Sequence, residues 1–219
     1  MPIAYRHRED PVHPLTLLPG LVVHRETDVA RMAALQGRTE AEIRMRLDAG
    51  HRAYVAEIDG IAAAWGWVAT GAATIGELEA RFTVAPHERY LWNFLTLPAY
   101  RGKGIYPRLI ASIVDAEARE AEGFWIAFAP ENHASGAGIR KAGFEPVAEL
   151  SFDPGGVPVV KALVPDGGRM AAALLGLPES HETLALCWKC VRAKRPTPMS
   201  CATGACACDY QRPDTACAA

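Results

Sequence analysis

From residue 20 to residue 165 the hydrophobic residues switch repeatedly between a spacing of two and a spacing near 3.6. Leu21–Arg25 (LVVHR) has strand composition. Thr27 and Asp28 are cap-type residues for a helix to about Leu35, and Thr39 with Glu42 has capping-box spacing for a second to about Ala49. Arg52–Ile58 and Ile61–Ala69 read as two strands around an Asp59-Gly60 hairpin turn. Gly71–Glu88 is a less regular connection with an extra strand near Glu79–Val84. Tyr90–Leu97 (YLWNFLTL) is aromatic or apolar at nearly every position, which predicts a strand buried on both faces. Ile105–Ala121 follows as a helix with Ile105, Leu109, Ile110, Ile113 and Val114 on one stripe, ended by Gly123. Phe124–Ala129 reads as another buried strand, and Ala134–Ala142 as a short helix closed by Gly143. Glu145–Phe152 and Val157–Leu163 alternate as a final pair of strands.

This order predicts a mixed α/β (α+β) domain over residues 20–165. Residues 1–19, rich in proline and mixed in charge, read as a loose lead-in. Residues 166–219 form a C-terminal extension, with one more helix over Met170–Leu177. From Arg192 the chain has almost no large apolar residues, too few to fold unaided. The chain has 219 residues, half of them hydrophobic, enough for a sizeable core. A net charge of −2 argues against a broad nucleic-acid-binding face. No apolar run approaches the roughly 20 residues of a membrane helix, and the N-terminus does not read as a secretory signal. The expected location is the cytoplasm.

The chemistry concentrates at Ala99–Ile110, AYRGKGIYPRLI. Two glycines follow a buried strand, ringed by Arg101, Lys103 and Arg108, and a helix begins at once. Without a Cβ, Gly102 and Gly104 let the backbone bend sharply and approach a ligand. The first helical turn then offers unsatisfied N–H groups and the positive end of the helix dipole, a phosphate cradle. Pro107 fits the first turn, which spares its missing N–H. Three spaced glycines of a dinucleotide fingerprint and the Gly-Lys-Ser/Thr of a Walker loop are both absent.

The run Pro98-Ala99-Tyr100-Arg101-Gly102-Lys103-Gly104 resembles the pyrophosphate loop of the GNAT superfamily of acetyl-CoA-dependent N-acetyltransferases, with Tyr106 in place of a final Gly/Ala. A second block, FAPENHASGAGIRKAGFEPV over Phe128–Val147, puts Asn132, Ser135, Lys141, Gly143 and Phe144 where family members carry Asn-x-x-Ala/Ser and Lys-x-Gly-Phe. The resemblance covers most of residues 20–165. It implies a mixed, mostly antiparallel sheet with a splayed parallel strand pair, Tyr90–Leu97 and Phe124–Ala129, flanked by helices. Acetyl-CoA would lie in the splay. Its pantetheine would bond to backbone at Leu95, Thr96 and Leu97, steadied by Asn132. Its pyrophosphate would bond to N–H groups of Arg101, Gly102, Lys103, Gly104, Ile105 and Tyr106.

A neutral amine of a small molecule or peptide would then attack the thioester directly, with a backbone N–H steadying the oxyanion. Many family members carry a tyrosine general acid two residues before the conserved lysine; here that position is Ile139. Tyr106, near the loop, is the candidate acid. Glu88, with His87, precedes the strand and is a candidate proton acceptor; Asn93 is the odd polar residue within it. Trp65, Trp67, Trp92 and Trp125 are candidate walls of a substrate site as well as core residues.

All six cysteines lie at or beyond Cys187. Cys187-x2-Cys190 is a common half of a zinc site, and Cys201, Cys206 and Cys208 would extend it; Cys206-Ala207-Cys208 suits copper(I). The family resemblance does not reach this tail. The rival to an acetyltransferase is therefore a catalytically degenerate member of the same fold that binds or senses metal through thiolates.

Overall fold

The computed structural model describes residues 1–11 and 14–183, with Trp188 and Val191. All six cysteines, and with them the expected metal site at Cys187, Cys190, Cys201, Cys206 and Cys208, lie outside the described residues. Among the described residues no helix is long and apolar enough to cross a membrane, and no three metal-ligating side chains cluster.

The strands are β1 (Pro2–His7), β2 (Leu21–Glu26), β3 (Arg52–Ile58), β4 (Ile61–Ala69), β5 (Ala72–Ile75), β6 (Ala80–Thr83), β7 (Glu88–Thr96), β8 (Gly123–Ala127), β9 (Glu145–Phe152) and β10 (Pro158–Ala162). The helices are α1 (Val29–Gln36), α2 (Glu40–Asp48), α3 (Ile105–Glu117), α4 (His133–Lys141) and α5 (Gly167–Leu175). Eight strands form one sheet in the order β10-β9-β1-β8-β7-β4-β3-β2, and β5 and β6 form a separate hairpin. Every pairing in the large sheet is antiparallel except β7 with β8. This is the expected mixed, mostly antiparallel sheet with one parallel pair.

Local chemistry explains most elements. Asp28 caps α1 by accepting from the Arg31 N–H, and Thr39 with Glu42 closes a full capping box on α2. Asp59 and Gly60 both take positive φ, 50° and 80°, as a tight β3–β4 hairpin turn requires.

Alternation along the strands divides the core. Tyr54, Ala56, Ala64, Leu91, Phe124 and Ile126 pack on one face with the apolar stripe of α3 and with Ile139 of α4. Ala53, Val55, Trp65 and Trp67 point to the other face, against Met32 of α1 and Ile43 of α2. On that second face, further along the sheet, Tyr90, Trp125 and Ile3 meet Phe82 of the β5–β6 hairpin and Leu174 of α5.

Three expectations need correction. Residues 2–7 are not a loose lead-in: β1 lies between β8 and β9, with Ile3 and Ala4 wholly buried. Its charged residues disguised it, and Arg6 is buried by donating to the Ala142 carbonyl at 3.0 Å. Helix α3 ends at Glu117, and Gly123 opens β8 rather than ending a helix. A Cβ there would lie 2.9 Å from the Tyr5 ring, so close strand approach explains the glycine. Finally, β7 is buried on both faces only over Arg89–Leu91; from Trp92 onward its residues are half-buried or exposed.

Inside the last turn of α3, Glu117 is 1% exposed and accepts from Tyr54 Oη at 2.5 Å, Arg89 Nε at 2.7 Å and Arg52 Nη1 at 2.7 Å. Burial alone would raise its pKa; the bonds from Tyr54, Arg89 and Arg52 overcome that and hold the carboxyl below its ordinary range. A pKa depressed by folding adds stability above the unfolded value, and that contribution is lost as pH falls through the folded value. Glu117→Gln removes the carboxylate that Arg89 Nε, Arg52 and Tyr54 share and leaves Arg89 only its 3.2 Å pair with the exposed Glu120 and two carbonyl bonds, so urea unfolding at pH 7 should show a loss of about 1–3 kcal/mol. The gap to wild type should narrow as pH drops below the ordinary carboxyl value of 4.5. An equal gap at pH 7 and at acid pH would contradict the ion network as its source.

Candidate active site

Strands β7 and β8 pair only over Glu88–Leu91 against Gly123–Ile126. Beyond Leu91 the edge of β7 toward β8 has no strand partner. The parting coincides with a bulge. Trp67 opposes Trp92 and Trp65 opposes Leu95, so Asn93 and Phe94 together face the single Gly66. Asn93 takes φ 52°, a left-handed conformation that asparagine tolerates better than other residues with a side chain. Its side chain is exposed, so this polar residue in an aromatic strand serves the backbone first. Gly66 is glycine because the Phe94 ring occupies its place: a Cβ there would lie 2.1 Å from Phe94 Cε1.

At the open end of β7, a 3-10 turn over Pro98–Tyr100 leads through Arg101–Gly104 into α3. Gly102 and Gly104 take φ 77° and 70°. A Cβ at Gly102 would meet nothing within 4 Å, so that glycine faces open space. Gly104 is the helix N-cap and provides no side-chain cap, which leaves the first-turn N–H groups of α3 to an outside acceptor.

The three basic residues there are already partly committed. Arg108 donates to the Gly104 carbonyl at 2.7 Å and to the Thr16 carbonyl at 2.9 Å, strapping the incoming chain to α3. Arg101 Nε donates to the Thr96 carbonyl at 3.2 Å. Lys103 Nζ lies 5.1 Å from the Tyr100 ring centroid. Of the expected backbone ligands at Leu95–Leu97, the Thr96 carbonyl thus has a protein donor, and Leu97 N–H donates to Ala63 at 2.9 Å. Leu95 is exposed.

Tyr106 lies in the first turn of α3, its ring edge-on to Phe94 with centroids 5.6 Å apart. Its hydroxyl is 3.0 Å from Ser135 Oγ, and burial pushes its pKa up to about 12. Asn132 caps α4, its Oδ1 accepting from Ser135 N–H at 3.0 Å. Tyr106, Ser135 and Asn132 are therefore brought together beside the glycine corner. Ile139, in place of the usual tyrosine, is wholly buried in the core. Glu88 is not brought to them. It opens β7 at the closed end of the pair, eight residues before Thr96, and its Oε1 accepts from Trp125 Nε1 at 3.0 Å.

On the face of the sheet opposite α3, a cavity of about 490 Å³ is lined by His51, Thr74, Arg81, Phe82, Thr83 and Trp92, among others. Trp92 Nε1 donates to His51 Nδ1 at 3.1 Å. The Arg46 guanidinium lies 5.0 Å from the Trp92 ring centroid and 5.2 Å from that of Trp67. Gln36 Oε1 accepts from Arg46 at 3.0 Å and from Trp67 Nε1 at 3.3 Å. Burial first, then the Arg46 charge, lower the His51 pKa. Sequence reasoning named Trp92 but not His51, Arg46 and Arg81; Arg46 and His51 lie five residues apart but some forty from Trp92, and the three belong to no motif.

The acetyltransferase (GNAT) family profile matches residues 23–144. Among solved structures, a GCN5-related N-acetyltransferase from Kribbella flavida is similar at 16% identity and TM-score 0.46, over 66% of this chain and 53% of its own. A GNAT-family protein from Novosphingobium aromaticivorans is similar at 26% identity and TM-score 0.44, over 66% of this chain and 59% of its own. The protein yncA from Salmonella typhimurium, solved with its cofactor acetyl-CoA, is similar at 18% identity and TM-score 0.45, over 63% of this chain and 86% of its own. The match thus spans little more than half the length of the first two. Comparison with curated proteins finds no match.

The bulge offers a direct test of how the site is built. Gly66→Ala drives a methyl into the Phe94 ring and should cost about 1–3 kcal/mol in denaturant unfolding. Phe94→Ala in the same chain should recover part of that loss, a coupling that a double-mutant cycle reads. Additive costs would mean that Phe94 does not fill the space above Gly66.

Proposed function

The chain belongs to the GNAT acetyltransferase family, and on that premise we propose that it transfers the acetyl group of acetyl-CoA to a primary amine of a small molecule or peptide. One observation carries the reading: a parted parallel strand pair has an uncapped, glycine-lined helix N-terminus at its open end. The residues present fit the cosubstrate. Gly102 faces open space, and the first turn of α3 has N–H groups without a side-chain acceptor. In this reading the backbone from Arg101 to Tyr106 holds the pyrophosphate, with Arg101 and Lys103 adding charge. The edge of β7 that has parted from β8 holds the pantetheine near Leu95 and Thr96, with Asn132 at its side, whereas the Leu97 N–H is already bonded to the Ala63 carbonyl.

Bound acetyl-CoA supplies the thioester carbonyl that a neutral amine attacks directly. The backbone at the Asn93 bulge supplies an N–H toward the developing oxyanion. Tyr106 keeps its proton, because a hydroxyl at about 12 gives it up poorly to a thiolate whose conjugate acid has a pKa of about 8.5. Its role is to donate a hydrogen bond to the leaving sulfur, with Ser135 fixing the hydroxyl. Glu88 is too far down the strand for direct contact: four residues separate it from Trp92, about 13 Å of extended chain. The amine proton passes to water at the cavity mouth. Cys187, Cys190, Cys201, Cys206 and Cys208 add a separate expectation of zinc or copper(I), which metal analysis of the purified full chain decides.

Calorimetric titration with acetyl-CoA should give saturable binding, weakened at least tenfold by Gly104→Glu. Tyr106→Phe should retain that binding within about threefold and lower kcat by about 10–100-fold. Absence of binding by folded wild-type protein would overturn the reading. Unchanged kcat in Tyr106→Phe would remove Tyr106 from the chemistry.

A further inference from the structure

The cavity on the far face of β7 bears on the choice of acceptor. Resting on the acetyltransferase reading, we infer that this cavity selects amines that also carry a carboxylate, held by Arg81 and His51.

Three observations lead there. The first is position. Trp92 forms one wall, and it is the first residue of β7 beyond the last β7–β8 pair, Leu91 with Ile126. The cavity therefore adjoins the point where the strands part, on the face away from α3. An acceptor seated there has its amine near the opening and its remainder against the β5–β6 hairpin.

The second is the lining. Among the described residues it contains one full positive charge, Arg81, the hydroxyls of Thr74 and Thr83, and the His51 ring, but no carboxylate. Thr74 pairs directly across the hairpin with Arg81, so a hydroxyl and a guanidinium stand side by side on one exposed face. Arg81 has no ion pair among the described residues. A guanidinium matches a carboxylate with two parallel hydrogen bonds. A polycationic acceptor would find no counter-charge here and one repulsive group.

The third is the state of His51. Its Nδ1 accepts from Trp92 Nε1, so the neutral ring carries its proton on Nε2. The residue lines the cavity with Nε2–H as its remaining ring donor and is not arranged as a base. Arg46, stacked on Trp92 and Trp67 beside it, adds a second positive charge behind the wall, and burial first, then this charge, favour the neutral ring of His51. The cavity offers donors to whatever enters it: guanidinium, ring N–H and hydroxyls.

The test has two arms on the full-length chain. In the first, acetylation is followed by mass spectrometry with a pool of the twenty amino acids, their carboxamides, and the polyamines spermidine and putrescine. In the second, the protein, with and without saturating CoA, is titrated with N-acetylglycine and with its neutral amide by tryptophan fluorescence and calorimetry. Carboxylate-bearing amines should be the acetylated members. N-acetylglycine should bind at least tenfold more tightly than the amide. Arg81→Glu should abolish that preference and raise KM for the carboxylate-bearing amine at least tenfold, with acetyl-CoA affinity unchanged. His51→Phe, which keeps the ring and removes the donor, should raise KM by a smaller factor. Preferred acetylation of polyamines or carboxamides, or indifference of the titration to Arg81→Glu, would overturn the inference while leaving the acetyltransferase reading intact. Failure to bind acetyl-CoA, with the carboxylate still bound through Arg81, would strike the enzyme reading and spare the cavity's specificity.

Discussion

The site depends on how far two parallel strands stay together. β7 and β8 hold each other through Leu91 and Ile126 and then part. Each side of that break has its own cause. At the closed end, Arg89 lies in the paired stretch and its guanidinium is bonded to Glu117, with Arg52 and Tyr54 converging on the same carboxylate. At the open end the Asn93 bulge turns β7 away from a straight course. Helix α3 joins the two ends. Its last residue is Glu117 and its N-cap is Gly104, thirteen residues apart and about 20 Å along a helix axis. The buried ion network thereby fixes the helix whose other end forms the glycine corner. A cluster at the far end of α3 thus sets where the uncapped backbone of the glycine corner stands.

Much of this was legible because it is local. Capping residues at Asp28 and Thr39, the Asp59-Gly60 turn and the glycines at 102 and 104 act within a few positions of themselves. Their spacing therefore carries their structure. Asn93 was visible as an anomaly by its polarity, but the left-handed φ it adopts at the bulge was not legible from residue type alone. Strand β1 was illegible for the opposite reason. Six residues containing Pro2, Arg6 and His7 give no alternation strong enough to announce a strand, and only the groove between β8 and β9 makes one of them. The helix boundary at Glu117 was missed because Gly123 imitates a helix stop; its actual constraint is the Tyr5 ring on a strand 118 residues earlier.

The cavity wall shows the limit most clearly. Trp92 and His51 are 41 residues apart, and Arg46 reaches the same aromatic pair from α2. No periodicity links a helix, a turn and a strand in this way. The link arises because β3 and β4 pair, β4 and β7 pair, and α2 packs on the face of Trp67. Charge then follows from packing. A guanidinium stacked on two indoles is stabilised by their ring faces and by the Gln36 carbonyl oxygen, with no ion pair among the described residues.

The two faces of the parted strands present hydrogen-bond donors by different means, and the proposed reading gives each a separate anionic group to hold. On the α3 side the donors are backbone N–H groups backed by a helix dipole, with the nearby basic side chains partly committed to Thr16, Thr96 and Tyr100. Such a cradle depends on main-chain path, so its sequence signature is glycine. On the opposite face the donors are side chains alone, Arg81 with its neighbouring hydroxyl and His51 oriented by Trp92. That kind of recognition leaves no motif, because any frame that delivers a guanidinium and a ring N–H to one hollow will serve. The glycine corner, the cosubstrate end in the proposed reading, is written in spacing, whereas the cavity, its proposed acceptor end, is written in three-dimensional packing. The family resemblance therefore reached the corner and stopped short of the cavity.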